Sequence, residues 1–299
     1  MMITRREWML MTTQGVLATS VVTHGARGRE TSPFCLFSKH LPELGWSDLA
    51  RAVKDAGFDG VDLTVRAQGH VLPERAASDL PRAIEAITSQ GVKVPMITTE
   101  LTTAASPFAR PILQAAAKNG VRYFKTGYWH YSSSSDVRAQ VAATGDALQG
   151  LASLARELGI VMGFHNHAGY IGAALWDVAP AIDRLDTHSA GYYFDPRHAV
   201  AEGGGGAWKA ATNLVLPRLK MLALKDCYWS KSPQGWTVEN CPLGEGMVDW
   251  AWTGKAIRDS AFTGPISLHL EYEIAGGTRA TLAAAQRDLA AAKKYFGSS

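Results

Sequence analysis

The chain has 299 residues, of which 46% are hydrophobic and 19% are charged, a composition typical of a globular protein with a large core. Its 30 basic and 27 acidic residues leave a formal net charge of +3, which excludes an electrostatic argument for nucleic acid or an anionic membrane as partner. The cysteines Cys35, Cys227 and Cys241 do not make a disulfide framework, although Cys227 and Cys241 could pair across one loop.

The first 30 residues resemble a twin-arginine export signal. Arg5 and Arg6 precede Trp8 and a mildly apolar stretch, residues 9–22, which is too short and too polar to span a bilayer. Residues 23–26 then supply an imperfect cleavage site. We therefore predict export to the periplasm, the alternative being a basic N-terminal helix on a cytoplasmic protein.

From residue 34 onward, short apolar runs alternate with segments of helical periodicity. In the first such segment, Leu49, Val53 and Ala56 recur at helical spacing, and Gly57 ends the helix. The predicted strands cover residues 34–37, 58–65, 92–97, 121–125, 160–164, 190–194, 219–224 and 266–270. The predicted helices cover residues 46–56, 76–90, 108–118, 137–158, 176–185, 208–216, 250–260 and 279–295.

This alternation predicts parallel strands joined by crossover helices. Eight strand–helix pairs match a single closed (β/α)8 TIM barrel of the α/β class over residues 31–299. The alternative is an open doubly wound sheet, but no G-x-G-x-x-G phosphate-binding sequence follows the first strand. The four glycines at 203–206 are interpreted as a flexible loop.

Polar clusters follow four of the predicted strands. Because the carboxyl ends of parallel strands meet at one rim, we expect these side chains to share one site. The clusters are His165-Asn166-His167, Asp195-Pro196-Arg197-His198, Lys225-Asp226 and Glu271-Tyr272-Glu273.

Three histidines and an aspartate are candidate metal or substrate ligands. His165 and His167 share a face because strand side chains alternate, and imidazoles there can bind a divalent metal or the hydroxyls of a sugar. Asp195 and His198, a turn apart, can both reach a substrate or a metal. The alternatives are structural histidines and a helix cap at Asp195.

Glu271 is the strongest functional candidate, because burying a carboxylate is costly unless it is paired or metal-bound. Lys125 and Lys225 end the fourth and seventh strands, where a lysine can act as an acid or stabilise an enediolate. The alternative for both lysines is an internal salt bridge. Asp62, within the second strand, is expected to support the barrel by pairing with a basic residue on a neighbouring strand.

Aromatic residues follow the same strands and are predicted to form the walls of a sugar pocket. They are Trp129, His130, Tyr170 and Trp229. Together with His167 and His198, Trp129 and Tyr170 are the predicted substrate-binding residues.

Several motifs resemble the xylose isomerase-like TIM barrels of the sugar phosphate isomerase/epimerase superfamily. Residues 57–63 (GFDGVDL) resemble the second strand of that family, and residues 242–250 (PLGEGMVDW) resemble the entry to its seventh helix. Asp195-x-x-His198 resembles the motif of its sixth strand, and Glu271 its terminal glutamate. The resemblance covers residues 34–296 and implies the same barrel.

The resemblance also implies a divalent metal, commonly Mn²⁺, held by Glu, Asp, His and Glu from the last four barrel strands. Asp195 and Glu271 match two of these ligands, and His165 stands where the first glutamate is expected. His167 matches a histidine that contacts substrate. Ala223 stands at the remaining ligand position and cannot coordinate a metal.

The chemistry implied is removal of a proton next to the carbonyl of a sugar or keto-sugar, giving an isomerase or epimerase. Glu271 is assigned as base or metal ligand, and Lys125 or Lys225 as the cation that stabilises the enediolate. The alternatives are a lyase acting on oxidised glycosides and a non-catalytic sugar-binding barrel that has lost its metal. The superfamily also contains apurinic endonucleases, against which Ala223, the charge and the export signal argue. The expected partner is a small sugar, and neither a nucleic acid partner nor a membrane span is expected. The question of a homo-oligomer is left open.

Overall fold

The computed structural model describes residues 32–133 and 136–297. Within them, eight parallel strands close into a barrel, because β1 pairs with both its neighbour in sequence and the last barrel strand. The barrel strands are β1 (Phe34–Phe37), β2 (Gly60–Val65), β3 (Lys93–Thr99), β4 (Tyr123–Lys125), β5 (Val161–His165), β6 (Ala190–Phe194), β7 (Leu219–Leu224) and β10 (Ile266–Leu268). The predicted (β/α)8 barrel is therefore confirmed.

Helices alternate with these strands along the described chain. They are α1 (Trp46–Asp55), α2 (Ala76–Thr88), α3 (Ala109–Lys118), α4 (Val137–Leu158), α5 (Leu175–Ile182), α6 (Pro196–Val215), α7 (Trp250–Asp259) and α8 (Gly277–Phe296). Their ends follow local chemistry. The Asp136 carboxylate accepts a hydrogen bond from the backbone N–H of Arg138 at the start of α4, and Gly159 ends that helix at φ +72°.

The sixth helix differs from its prediction. The glycines at 203–206 were predicted to form a flexible loop, but α6 runs from Pro196 through them to Val215, with a break at Gly204. Gly204 has φ +56° and ψ −156°, a conformation that favours glycine. Pro196 at the first helical position and the Asp195 carboxylate, which accepts from the His198 N–H, start the helix directly after β6.

A two-stranded antiparallel sheet follows β7 and was not predicted. Its strands are β8 (Asp226–Ser232) and β9 (Gly235–Cys241). The hairpin is largely polar and exposed, so it lacks the apolar run that marks a barrel strand. Cys227 and Cys241 are both buried in it as free cysteines.

Apolar side chains fill two separate spaces. Most lie between the strands and the surrounding helices. A smaller cluster consists of Met96, Tyr193, Met221 and Ala223, which come from β3, β6 and β7. Ala223 therefore packs against apolar side chains of other barrel strands, and its methyl group is fully buried.

The predicted export signal, residues 1–30, lies outside the described residues. None of the helices in the described part of the chain has the length and apolar character needed to cross a membrane.

Candidate active site

The predicted convergence of polar side chains at the carboxyl ends of the strands is present in the structure. His165 is the last residue of β5, and Asp195 and Lys225 directly follow β6 and β7. Glu271 lies shortly after β10. Contacts of less than 4 Å connect these four residues into one cluster, which we call the mouth cluster.

Asp195 lies at the centre of the mouth cluster. Its Oδ2 atom is 3.1 Å from Lys225 Nζ and 3.3 Å from His165 Nε2, and His198 Nε2 is 3.8 Å away. Asp195 and these three partners are all buried. Burial disfavours ionisation of Asp195, but the Lys225 ammonium and the two imidazoles outweigh it and hold the pKa of this carboxyl well below its usual value. Asp195 is therefore a buried carboxylate anion.

The backbone around Asp195 is held in place by Asn166, from the end of β5. The Asn166 side chain accepts from the Asp195 N–H at 2.8 Å and donates to the Asp195 carbonyl at 3.0 Å. The Oδ1 atom of Asp195 also accepts from the N–H of His198 at 3.2 Å. These bonds fix the carboxylate relative to β5 and leave Oδ2 for the mouth cluster.

Glu271 is flanked by two lysines. Lys39 Nζ is 3.4 Å from its Oε1 atom, and Lys225 Nζ is 3.8 Å from its Oε2 atom. His269 Nδ1 lies 3.8 Å from Oε1. Burial disfavours the anion, but His269 and the lysines lower the pKa of Glu271 below its usual value. The side chain is 23% exposed, so this carboxylate faces the open mouth of the barrel.

His165 and His167 are neutral imidazoles at neutral pH. Burial lowers the pKa of His165 to about 3 and that of His167 to about 4. His165 Nδ1 is 2.9 Å from the hydroxyl of Tyr128, so this imidazole spans Tyr128 and Asp195. The rings of His167 and His198 lie 3.8 Å apart between centroids.

Lys125 occupies a different part of the same rim. Its ammonium lies 3.5 Å from the centroid of the Tyr128 ring, a cation–π contact. Burial lowers the pKa of Lys125 to about 7, and the nearby Arg66 acts in the same direction. Lys125 can therefore both donate and accept a proton near neutral pH.

A second polar centre lies deeper in the barrel, around Asp62 of β2. Its carboxylate accepts from the hydroxyls of Thr98 and Ser267 at 2.8 Å, and Tyr193 OH is 3.4 Å away. The expected support of the barrel by Asp62 thus comes from hydroxyl groups rather than from a basic partner. Burial raises the pKa of Asp62. The Tyr193 hydroxyl is also 3.0 Å from His269 Nε2, which connects this centre to Glu271.

Asp226 has a structural role, although it is adjacent to Lys225 in sequence. Its carboxylate accepts hydrogen bonds from four backbone N–H groups and from the indole of Trp250. Three of those N–H groups belong to the loop between β9 and α7. Asp226 therefore holds the PLGEGMVDW segment against the hairpin.

The predicted aromatic walls divide into two groups. Tyr170 lies beside the site, with its ring 5.0 Å from that of His167 and 4.9 Å from that of Tyr128. Trp129 instead packs on Phe164 at 6.0 Å, against the main core. Trp229 lies on the exposed hairpin and His130 contacts Tyr170. Of the four predicted wall residues, Tyr170 thus contacts the rings of His167 and Tyr128, and His130 contacts Tyr170.

The donor set does not fit the four-ligand divalent metal that the resemblance implies. Ala223 offers no donor atom, and the ammonium of Lys225 lies between the carboxylates of Asp195 and Glu271. Across residues 32–133 and 136–297, no group of three or more His, Cys, Asp or Glu side chains is placed to hold a metal.

The sequence prediction missed Lys39, Tyr128 and His269. Lys39 follows β1 just as the predicted candidates follow their strands, so the same signal would have found it. Tyr128 lies in the loop after β4, where only the neighbouring Trp129 was selected. His269 precedes Glu271 by two residues and was not selected as a candidate.

Comparison with known proteins agrees with this architecture. A profile of the xylose isomerase-like TIM barrel family matches residues 50–295. A search of curated proteins found no match.

Solved structures similar to this chain include sugar epimerases. A D-psicose 3-epimerase determined in the presence of D-fructose is 16% identical, with a TM-score of 0.67 over 89% of this chain and 100% of its own. A 3-keto-D-glucoside 4-epimerase from E. coli is 15% identical, with a TM-score of 0.68 over 88% and 100%. A xylose isomerase-like TIM barrel protein from Mycobacterium smegmatis, in complex with magnesium, is 15% identical, with a TM-score of 0.66 over 89% and 98%.

Proposed function

Since the chain belongs to the xylose isomerase-like TIM barrel family, we propose that it is a sugar isomerase or epimerase that removes a proton next to a carbonyl. The observation that carries the proposal is the pairing of the Glu271 carboxylate with the Lys225 ammonium, 3.8 Å apart at the barrel mouth. Such chemistry needs a base at the carbon and a positive charge at the oxygen. The similar epimerases support sugars and keto-sugars as the substrate class.

In the proposed reaction, Glu271 accepts the proton from the carbon next to the carbonyl. The electron pair of the broken C–H bond forms a carbon–carbon double bond, and the carbonyl π electrons move onto the oxygen. Lys225 stabilises the negative oxygen of this enediolate. A proton from solvent delivered to the other face of the same carbon, with loss of the Glu271 proton to water, gives the epimer. Return of the Glu271 proton to the neighbouring carbon, with transfer of that carbon's hydroxyl proton to the enediolate oxygen, gives the isomer.

The remaining predicted residues are assigned to proton exchange and substrate orientation. Lys125, whose pKa is lowered to about 7 chiefly by burial, supplies or removes a hydroxyl proton near neutral pH. His167 is half-buried beside Tyr170, where it orients substrate hydroxyls together with His198. An enediolate with a leaving group on the adjacent carbon would expel it, so a lyase acting on keto-glycosides uses the same residues.

The predicted export signal extends the proposal to location. An exported enzyme meets free or oxidised sugars rather than sugar phosphates. Cell fractionation tests this part separately: processed protein in the periplasm supports it, and full-length protein confined to the cytosol contradicts it.

Deuterium exchange tests the proposed reaction most directly. The protein is incubated in D₂O with a set of ketohexoses and 3-keto-glucosides, and NMR reports deuterium at carbon, epimers, isomers or released aglycone. Glu271→Gln is expected to lower the exchange rate about 10²- to 10⁴-fold, since it removes the base and keeps the shape. The matched control is Glu273→Gln, on an exposed side chain two residues later.

Two results would contradict the proposal. An unchanged rate of deuterium exchange in Glu271→Gln would show that Glu271 is not the base. Sugar-dependent thermal stabilisation without any exchange by the native chain would indicate a sugar-binding barrel instead.

A further inference from the structure

We propose that the mouth cluster contains its own cation, so that Lys225, assisted by Lys39, replaces a divalent metal and the chain works without one. The catalytic half of this inference rests on the proposed function. The metal-binding half does not, because it concerns only which cation the cluster accepts.

The first argument is the position of the Lys225 ammonium. Its Nζ atom is 3.1 Å from Asp195 Oδ2 and 3.8 Å from Glu271 Oε2, so it bridges two carboxylates from opposite sides of β7. A cation coordinated by both carboxylates would have to displace this ammonium. Lys225 is 4% exposed. Displacing its ammonium would either leave a positive charge buried without a carboxylate partner or open the mouth cluster to water, and both are costly.

The second argument is the residue on β7 that precedes Lys225 by two positions. Side chains two apart on a strand share a face, so Ala223 lies on the same side of β7 as Lys225. The methyl group of Ala223 is packed with Met96, Tyr193 and Met221, and it is fully buried. β7 therefore contributes one ammonium and one methyl group to the site, and neither can coordinate a metal.

The third argument is the balance of fixed charge. Asp195 and Glu271 supply two negative charges, and Lys225 and Lys39 supply two positive ones. The two lysines contact different oxygens of Glu271, with Lys39 3.4 Å from Oε1. A divalent ion bound by both carboxylates would take their charge from the lysines and leave the buried Lys225 ammonium beside it without a partner, where repulsion between like charges is strong.

This arrangement has a consequence for the reaction. The oxygen that becomes negative during proton removal would find Lys225 already held in place by Asp195. Because the ammonium is part of the chain, chelators would not remove it, and catalysis would not depend on added metal.

Direct metal titration of the native chain tests the inference. The full protein is dialysed against EDTA and then titrated with Mn²⁺ and with Mg²⁺ by isothermal calorimetry. The expected result is no saturable binding of either ion, and unchanged proton exchange before and after chelation. Saturable binding of one Mn²⁺ per chain would overturn the inference, as would activity that chelation removes and Mn²⁺ restores.

A pair of variants tests the role of the ammonium. Ala223→His combined with Lys225→Met supplies an imidazole and removes the competing charge, so Mn²⁺ binding is expected to appear. Ala223→His alone is the matched control, and it is expected to bind Mn²⁺ at least tenfold more weakly because Lys225 remains, a difference of about 1.4 kcal/mol. Equal binding by the two variants would show that the ammonium is no obstacle and would overturn its role.

The titration separates this inference from the proposed function. If the native chain exchanges no proton from any keto-sugar, the proposed function fails, while the binding data still decide which cation the cluster accepts. If a histidine at 223 prevents folding, the titration of the native chain decides alone.

Discussion

Asp195 and Asp226 are both fully buried at the same end of the barrel, yet different kinds of partner stabilise their carboxylates. Asp226 is surrounded by four backbone N–H groups and one indole, which are fixed donors that carry no net charge. Asp195 faces an ammonium and two imidazoles, whose protons can be exchanged. Fixed donors make a carboxylate part of the scaffold, whereas titratable partners make it available for chemistry.

The sharpest way to break this comparison is to replace each aspartate by asparagine. Asp226→Asn replaces one acceptor oxygen by an NH₂ donor, which then faces N–H groups that cannot reorient, and we expect a loss of about 3 kcal/mol or more in the free energy of unfolding. Asp195→Asn keeps the bond from the N–H of His198 but removes the charge that pairs with the buried Lys225 ammonium 3.1 Å away, so we expect a loss of about 3 kcal/mol together with loss of activity. Adding Lys225→Met, which removes the unpaired ammonium, should restore part of the stability of Asp195→Asn but none of that of Asp226→Asn. Urea unfolding measures these values, and equal effects of Lys225→Met on the two aspartate variants would contradict the distinction.

A second comparison concerns two buried lysines on this rim. Lys225 bridges two carboxylates, whereas Lys125 lies over the ring of Tyr128. Burial, which is the largest influence, and Arg66 lower the pKa of Lys125 to about 7 from the ordinary value of 10.5, while Asp62 and Glu100 oppose this change. Between these pH values the unfolded chain binds more protons at this residue than the folded chain does. Its contribution to the free energy of unfolding therefore rises with pH, by at most about 1.4 kcal/mol per unit.

Lys125→Met removes this contribution. Between pH 7 and pH 10, the stability of the native chain relative to the variant should rise, as measured by urea unfolding at several pH values. Lys118→Met, on an exposed side chain, is the control and should leave the pH dependence unchanged. Parallel curves for the native chain and Lys125→Met would contradict the lowered pKa.

The smallest expected effects compare neighbouring tyrosines on β6. The hydroxyl of Tyr193 contacts Asp62 and His269, so Tyr193→Phe should cost about 1 kcal/mol in the free energy of unfolding. The hydroxyl of Tyr192 is buried and has no hydrogen-bond partner among the described residues. Tyr192→Phe should therefore be neutral or stabilising by up to about 1 kcal/mol. Thermal unfolding of the two variants side by side would show the reverse order if the assignment of these hydroxyls were wrong.

Local patterns explain why so much of the barrel was predictable. Hydrophobic periodicity over a few residues is enough to predict each buried strand and each amphipathic helix. Gly159 likewise ends α4 through its own backbone conformation. The β8–β9 hairpin and the passage of α6 through residues 203–206 were missed. Both depend on contacts made elsewhere: Asp226 bonds the loop that follows the hairpin, and Asp195 begins α6.

By itself, the sequence determined the barrel and which strand ends carry His165, Asp195, Lys225 and Glu271, because hydrophobic periodicity is a local property and parallel strands end on one side. Only the tertiary structure decided how those groups are partnered. Lys225 and Asp226 are adjacent in the chain, but one bridges two carboxylates and the other binds a loop. Lys39, at the opposite end of the sequence from Glu271, joined the site because barrel closure brings β1 next to β10. Partnership depends on distances across the barrel, and no local pattern encodes them.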